Sequence, residues 1–126
     1  MHVERLDHVN IRTADLEATK DFYVDVIGLR VGDRPPFSFA GYWLYDDATP
    51  VIHLTETTHA AESGTGSIDH VSFRAGGLRA MREGIRARGI AAEERTVPRN
   101  GDVQLFLADP NGVTIELTFR AEEAAE

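Results

Sequence analysis

The chain has 126 residues, of which 42% are hydrophobic and 27% charged, and its formal net charge is −8. This length and composition predict one globular domain with a sizeable core. The sequence contains no cysteine, which excludes disulfides, thiolate metal ligands and a cysteine nucleophile. The acidic balance argues against nucleic acid as a partner, because phosphate binding draws on clustered Lys and Arg. We therefore expect a small-molecule partner.

The sequence also argues against a membrane partner. No apolar run approaches the roughly 20 residues that a membrane-spanning helix needs. The first residues, Met1–Arg5, lack the apolar stretch of a secretory signal. The expected location is therefore the cytoplasm.

An internal repeat organises the chain, and its first half begins with an alternating segment, Leu6–Arg12, that predicts a strand. Asp15 is then placed to cap a helix, and Gly28 is placed to end it. Three further strands should complete this half, near Leu29–Asp33, Tyr42–Tyr45 and Val51–Thr55.

The second half repeats this order. Ile68–Arg74 aligns with the first strand, and a helical pattern that ends at Gly89 follows it. Asp109–Gly112 predicts a hairpin turn before the closing strand, Thr114–Thr118. The prediction is an α+β fold in which the order strand, helix, three strands occurs twice. The expected divisions are a first module at about 4–58, a linker at about 59–66, a second module at about 67–120 and a frayed acidic tail at 121–126.

Four metal-capable side chains occupy matched positions in the repeat. His8 and His70 lie in the two first strands, and the closing strands contribute His53 and Glu116. Because side chains alternate along a strand, each of the four should point away from the aliphatic side of its strand. That aliphatic side should pack under the helix of its own module. The candidate ligands should then share the uncovered face of a curved sheet.

Imidazole and carboxylate side chains are ligands for Fe, Zn, Mn, Ni or Co, so we expect one divalent ion per site. Four protein ligands leave one or two positions for water or substrate. A lone histidine in a strand is more often an ordinary hydrogen-bonding residue, but four matched positions favour metal binding. Asp7 and Asp69, which precede His8 and His70, are either strand-end contacts or hydrogen-bond partners of the ligands.

These residues resemble the vicinal oxygen chelate superfamily, which includes glyoxalase I, extradiol dioxygenases, fosfomycin resistance transferases and bleomycin resistance proteins. The resemblance is carried by Leu6–Val9, Phe22–Leu29, Ile68–Val71, Asp109–Gly112 and Ile115–Leu117. It implies two tandem βαβββ modules that form a curved, barrel-like mixed sheet with a metal-containing cleft. It also implies a homodimer with shared sites, in which His8 and His53 come from one chain and His70 and Glu116 from the other.

The resemblance leaves the reaction open, and His53 separates the candidates. Glyoxalase I carries a carboxylate where this chain has His53, and the arginines that would hold glutathione are not identifiable in the sequence. Dioxygenases and fosfomycin transferases use two His and one Glu, which match His8, His70 and Glu116. His53 is then either a fourth ligand or an acid/base group, and His53 and Glu116 are the candidate catalytic bases.

Two segments are candidates for substrate binding. Phe37, Tyr42 and Trp43 could line an aromatic pocket or serve in ordinary core and interface packing. Arg99 could supply a cation on a mobile lid or belong to a plain surface turn. The predicted function is a metal-dependent isomerase, lyase or oxygenase that chelates a small oxygen-bearing substrate. The alternative is a non-catalytic dimeric protein that sequesters a small molecule, as bleomycin resistance proteins do.

Overall fold

The computed structural model describes residues 1–58 and 67–125, so the predicted linker at 59–66 lies outside the described residues. The chain divides into two compact units. Each contains one strand, one helix and three further strands, in the predicted order, and the α+β prediction is confirmed. Within the described ranges, every helix is too short or too polar to cross a membrane.

The first unit is a four-stranded mixed sheet with one helix. Its elements are β1 (Val9–Thr13), α1 (Leu16–Asp21) with a π-helical continuation (Phe22–Ile27), β2 (Arg30–Gly32), β3 (Gly41–Tyr45) and β4 (Pro50–Glu56). The strand order is β1-β4-β3-β2. β1 runs parallel to β4, and the other pairs are antiparallel.

Local chemistry sets the ends of the first helix as the sequence predicts. The Asp15 carboxylate accepts a hydrogen bond from the Ala18 amide at 3.0 Å, as an N-cap does. Gly28 ends the π-helical continuation in the left-handed conformation, at φ 96°. The Thr13 and Thr19 hydroxyls, 3.0 Å apart, join β1 to the helix. The helix therefore covers the face of the sheet that carries the apolar side chains.

The second unit has the same topology. Its elements are β5 (Val71–Arg74), α2 (Leu78–Ala87), β6 (Glu93–Thr96), β7 (Val103–Ala108), β8 (Thr114–Phe119) and a 3₁₀ helix (Ala121–Ala125). The strand order is β5-β8-β7-β6, with β5 parallel to β8. The predicted turn between β7 and β8 is confirmed, because the Asp109 carboxylate accepts from the Asn111 and Val113 amides at 2.8 Å.

The two first strands begin one residue later than the candidate ligands, which corrects the prediction that they include His8 and His70. Pairing starts at Val9 opposite Ile52 and at Val71 opposite Ile115. Each histidine therefore directly precedes the first paired residue of its strand. Its side chain still follows the alternation of the strand, because it lies two residues before Asn10 or Ser72.

The described part of the acidic tail, Ala121–Ala125, is helical in the structure, whereas the sequence predicts a frayed end. Glu123 lies in the 3₁₀ helix, and its carboxylate accepts hydrogen bonds from the amides of Gly77 at 2.8 Å and Leu78 at 3.0 Å. Gly77 is the N-cap of α2 and has no side chain with which to cap the helix. Glu123 therefore caps α2 from a distant part of the chain.

Replacing Glu123 with Ala should lower the free energy of unfolding by about 1 kcal/mol, since the first amides of α2 lose their acceptor. Urea unfolding followed by circular dichroism measures the change. Glu122→Ala is the matched control, because Glu122 is exposed on the same 3₁₀ helix. Equal stability of the two variants would contradict the capping role.

Candidate functional site

In the first unit, His8 and His53 lie on the face of the sheet opposite α1. His53 is the register partner of Asn10, so His8, two residues earlier, shares its face. The two imidazole rings are stacked, with centroids 3.7 Å apart and planes at 11°. Trp43 stacks on His53 at 4.1 Å and 10°. Because β4 lies between β1 and β3, His53 is held between the other two rings.

The surroundings of His53 disfavour the charged form of its imidazole. Burial is the main cause that lowers its pKa below the ordinary value of 6.5, and the charge of His8 acts in the same direction. A hydrogen bond to the Pro50 backbone and the charge of Asp7 act in the opposite direction. The His53 Nε2 atom is buried and has no hydrogen-bond partner among residues 1–58 and 67–125. A buried nitrogen of this kind suits a metal ligand or a proton acceptor.

In the second unit, His70 and Glu116 form the equivalent pair. Glu116 is the register partner of Ser72 and therefore faces the same side as His70. The His70 Nε2 and Glu116 Oε2 atoms are 3.7 Å apart. Glu116 is 7% exposed, and its other oxygen, Oε1, accepts a hydrogen bond from Gln104 Nε2 at 2.7 Å. Gln104 thus fixes the carboxylate so that one oxygen is turned to His70.

Asp7 and Asp69 hold the histidines that follow them. In each case the Asp Oδ2 and His Nδ1 atoms are 2.7 Å apart. Since an ionised carboxylate can only accept, Nδ1 is the donor, and in the neutral form of the ring Nε2 carries the lone pair. The hydrogen bond from His8 is also the main cause that lowers the pKa of Asp7. Metal-binding histidines commonly make this contact through their second nitrogen, so the donor set fits a divalent metal.

The candidate ligands form pairs, one in each unit. Over the described ranges, no three or more His, Asp or Glu side chains are grouped so as to hold a metal ion. One pair is two histidines in an aromatic stack. The other is a histidine and a carboxylate.

The predicted aromatic residues fall on both faces of the first sheet. Trp43 is stacked on His53, and the Phe37 ring lies 6.3 Å from the Trp43 ring. Tyr42 is the register partner of Leu54 and donates its hydroxyl to Glu17 of α1. Tyr42 therefore lies on the opposite face from Trp43, since adjacent strand residues point to opposite faces, and it fits the packing alternative rather than one pocket with Trp43.

Arg99 lies in a hydrogen-bonded turn between β6 and β7. The Asn100 amide donates to the Pro98 carbonyl at 3.0 Å, and the Gly101 amide donates to the Val97 carbonyl at 3.1 Å. Arg99 is exposed and has a φ of 75°. This geometry agrees with the surface-turn interpretation of the segment.

Two residues of the candidate site escaped the sequence interpretation, Gln104 and Phe106. Phe106 is the register partner of Glu116 as Trp43 is of His53, and Gln104 matches Gly41 in the same way. Extending the repeat alignment to the third strand of each half finds Phe106, because it matches Trp43, whereas Gln104 matches a glycine and has no such signal. Phe106 meets His70 edge-on at 6.1 Å. It also borders a cavity of about 400 Å³, whose other lining residues are Ala91, Ala92, Glu93, Leu107, Ala108 and Thr114.

Comparisons with known sequences give the same family over nearly the whole chain. The Glyoxalase/Bleomycin resistance protein/Dioxygenase superfamily matches residues 5–117. A lactoylglutathione lyase of Arabidopsis thaliana is 31% identical over 126 residues, and the match covers 92% of this chain but only 44% of the plant protein. A lactoylglutathione lyase of Escherichia coli O157:H7 is 32% identical over 124 residues, with 90% of each chain covered.

Solved structures share the fold at lower identity. The fosfomycin resistance protein FosX of Listeria monocytogenes superposes with a TM-score of 0.75 at 17% identity, covering 97% of this chain and 98% of its own. The antibiotic-binding protein TnmS3 of Streptomyces sp. CB03234 gives 0.70 at 20% identity, covering 95% and 98%. One of these neighbours confers resistance and the other binds an antibiotic, so the fold alone does not select a function.

In the metal-free protein, the His53 imidazole should titrate below pH 6.5, in the direction given above. The unfolded chain then takes up the proton first, so stability is full above pH 6.5 and falls as the pH drops toward the folded-state pKa. Proton–nitrogen NMR of the imidazole measures the titration. Trp43→Ala, which uncovers one face of the ring, should bring the pKa back toward its ordinary value. Titration of the wild-type ring at or above pH 6.5 would contradict this account.

Proposed function

Because the chain belongs to the Glyoxalase/Bleomycin resistance protein/Dioxygenase superfamily, we propose that it is a metal-dependent enzyme acting on a small oxygen-bearing substrate. The ion is one divalent metal per site, drawn from Fe, Zn, Mn, Ni and Co. The proposed ligands are His8, His53, His70 and Glu116. Relatives named as lactoylglutathione lyases favour lyase or isomerase chemistry over oxygenation.

The observation that carries the proposal is the hydrogen bonding of the three histidines among the proposed ligands. His8 and His70 each donate Nδ1–H to an aspartate, which leaves the Nε2 lone pairs available. The His53 Nε2 atom is buried, without a hydrogen-bond partner in the described part of the chain. A buried polar atom without a partner is costly unless something else binds it. A metal ion, or a substrate proton, would relieve that cost.

The divalent ion, when bound, would supply Lewis acidity that polarises a carbonyl or hydroxyl oxygen of the substrate. His53 and Glu116 are the proposed proton carriers. Where His8, His70 and Glu116 alone hold the metal, the lowered pKa of His53 keeps its Nε2 atom unprotonated at neutral pH, so this atom can accept a proton from the substrate. Gln104 occupies Glu116 Oε1 and leaves Oε2 as the oxygen that could bind or accept a proton. Trp43 and Phe37 would form the substrate wall beside His53.

We propose a homodimer in which His8 and His53 of one subunit act with His70 and Glu116 of the partner subunit. Each unit holds only half of the ligand set, so a four-ligand site needs one unit of each kind, from one chain or from two. Leu6 and Ile68, two residues before the ligand histidines, are 81% and 62% exposed. These apolar side chains are surface that a second subunit could cover.

The function is tested by metal content and metal affinity. Purified protein reconstituted with Zn²⁺ or Fe²⁺ should retain metal after gel filtration, as measured by mass spectrometry. His70→Ala should weaken binding by at least about tenfold, since a ligand is lost. His2→Ala is the matched control, because His2 is an exposed histidine outside the candidate ligand set. No retained metal in the wild-type protein, with small-molecule binding intact, would overturn the proposal in favour of a non-catalytic binding protein.

Mixing two variants that are each defective in metal binding tests whether the sites are shared between subunits. In a shared-site dimer, His8→Ala and His70→Ala each damage both sites of their own homodimer. A heterodimer of the two has one doubly damaged site and one intact site. Co-refolding the two variants should therefore restore metal binding to part of the sample. If the mixture binds no more metal than the separate variants, the sites lie within single chains.

A further inference from the structure

The segment between β2 and β3 presents two exposed phenyl rings. Phe37 is 45% exposed and Phe39 is 47% exposed. Their rings are nearly parallel, with centroids 5.1 Å apart and planes at 13°. Leaving two such rings in water forgoes the free energy that burial would give. Contiguous exposed apolar surface of this kind is typical of a binding site.

A cation lies against both rings. The Arg34 guanidinium carbon is 5.0 Å from the Phe37 centroid and 5.1 Å from the Phe39 centroid. One of its nitrogens donates to the Phe39 carbonyl at 2.9 Å. No ion pair in residues 1–58 and 67–125 includes Arg34. A guanidinium has five N–H donors, so Arg34 retains donors for an anion.

The backbone places this cation beside the face that carries His53. Gly41 alternates with Trp43 along β3 and therefore belongs to the same face. A Cβ atom on Gly41 would lie 2.2 Å from the Leu54 carbonyl oxygen and 3.0 Å from Arg34 Nη2. The glycine thus leaves room for the guanidinium. Phe37, next to Trp43, continues the aromatic surface from His53 to Arg34.

We propose that Arg34, Phe37 and Phe39 form a subsite for a planar aromatic ring that bears a carboxylate. The carboxylate would pair with the Arg34 fork, and the ring would stack on the phenylalanines. This inference rests on the proposed function and narrows its substrate to an aromatic carboxylate. A second oxygen of that substrate, next to the carboxylate, would reach the sheet face that carries His53.

The only tryptophan of the chain is Trp43, so intrinsic fluorescence reports on this surface directly. Three probe molecules, tested on the metal-free protein, distinguish the contribution of the aromatic ring to binding from that of the carboxylate. Benzoylformate has the ring, the carboxylate and an adjacent carbonyl; pyruvate lacks the ring; acetophenone lacks the carboxylate. Benzoylformate should change the fluorescence saturably, and each of the other two should bind about tenfold more weakly or worse, since each lacks one interaction.

Variants identify the residues responsible. Arg34→Met should weaken benzoylformate about tenfold and leave acetophenone unchanged, because only the charge contact is lost. Arg30→Met is the matched control, because Arg30 also lies over an aromatic ring and donates to a backbone carbonyl. Its ring is that of Tyr45, at 5.6 Å, and its carbonyl is that of Asp47, in place of the two phenylalanines that Arg34 contacts. A double variant, Phe37→Leu with Phe39→Leu, should weaken both aromatic probes. Circular dichroism verifies that each variant is folded.

Equal binding of pyruvate and benzoylformate, equal effects of Arg34→Met and Arg30→Met, or no fluorescence change at all would overturn the subsite. These outcomes are distinguishable from failure of the proposed function. A protein that retains no metal but binds benzoylformate through Arg34 keeps the subsite and loses the metal chemistry. A protein that retains metal but shows no Arg34 dependence loses only the subsite.

Discussion

The parallel pairing of the first and last strands in each half is the constraint on which the candidate site depends. The register sets Asn10 beside His53 and Ser72 beside Glu116, which places each histidine on the same face as its partner. A shift of one residue would turn His53 or Glu116 toward the helix and exchange it with an aliphatic neighbour. That exchange would bury a polar group in the core and expose an apolar one. Hydrophobic packing therefore fixes the chemistry of the opposite face.

The two halves use the same positions for different interactions. In the first half, His53 lies between the rings of His8 and Trp43, and burial lowers its pKa. In the second half, the matched residue is a buried carboxylate that an amide holds by one oxygen. The first half thus offers planar surface and a proton acceptor, and the second offers negative charge. A metal bound by both would meet two kinds of ligand environment.

Much of the fold follows from local sequence chemistry. Asp15, Gly28 and the Asp109–Gly112 turn act through groups within a few residues of themselves, so they could be predicted. The side of the strand on which each ligand lies followed from alternation. The candidate ligands and their pairing could therefore be proposed from the sequence.

Contacts between distant segments could not be predicted from local sequence chemistry. Glu123 caps a helix that begins 45 residues earlier in the chain, and nothing near Glu123 indicates this. Gln104 could not be identified, because its contact with Glu116 joins two neighbouring strands. The face on which Tyr42 lies follows from its alternation with Trp43, but its contact with Glu17 depends on where the helix packs. The contact of Arg34 with Phe37 and Phe39 could be seen only from the fold of the segment between β2 and β3.

The adjacency of Asp7 to His8, and of Asp69 to His70, makes the orientation of each histidine a local property. Each carboxylate reaches the Nδ1 atom of the next residue, so no pairing between strands is needed to form this contact. The Gln104 contact spans two strands, and its counterpart in the first half is a glycine. A contact of that kind differs between the halves, while each Asp–His pair is the same. The two halves therefore share the contact within the dipeptide and differ at the cross-strand position.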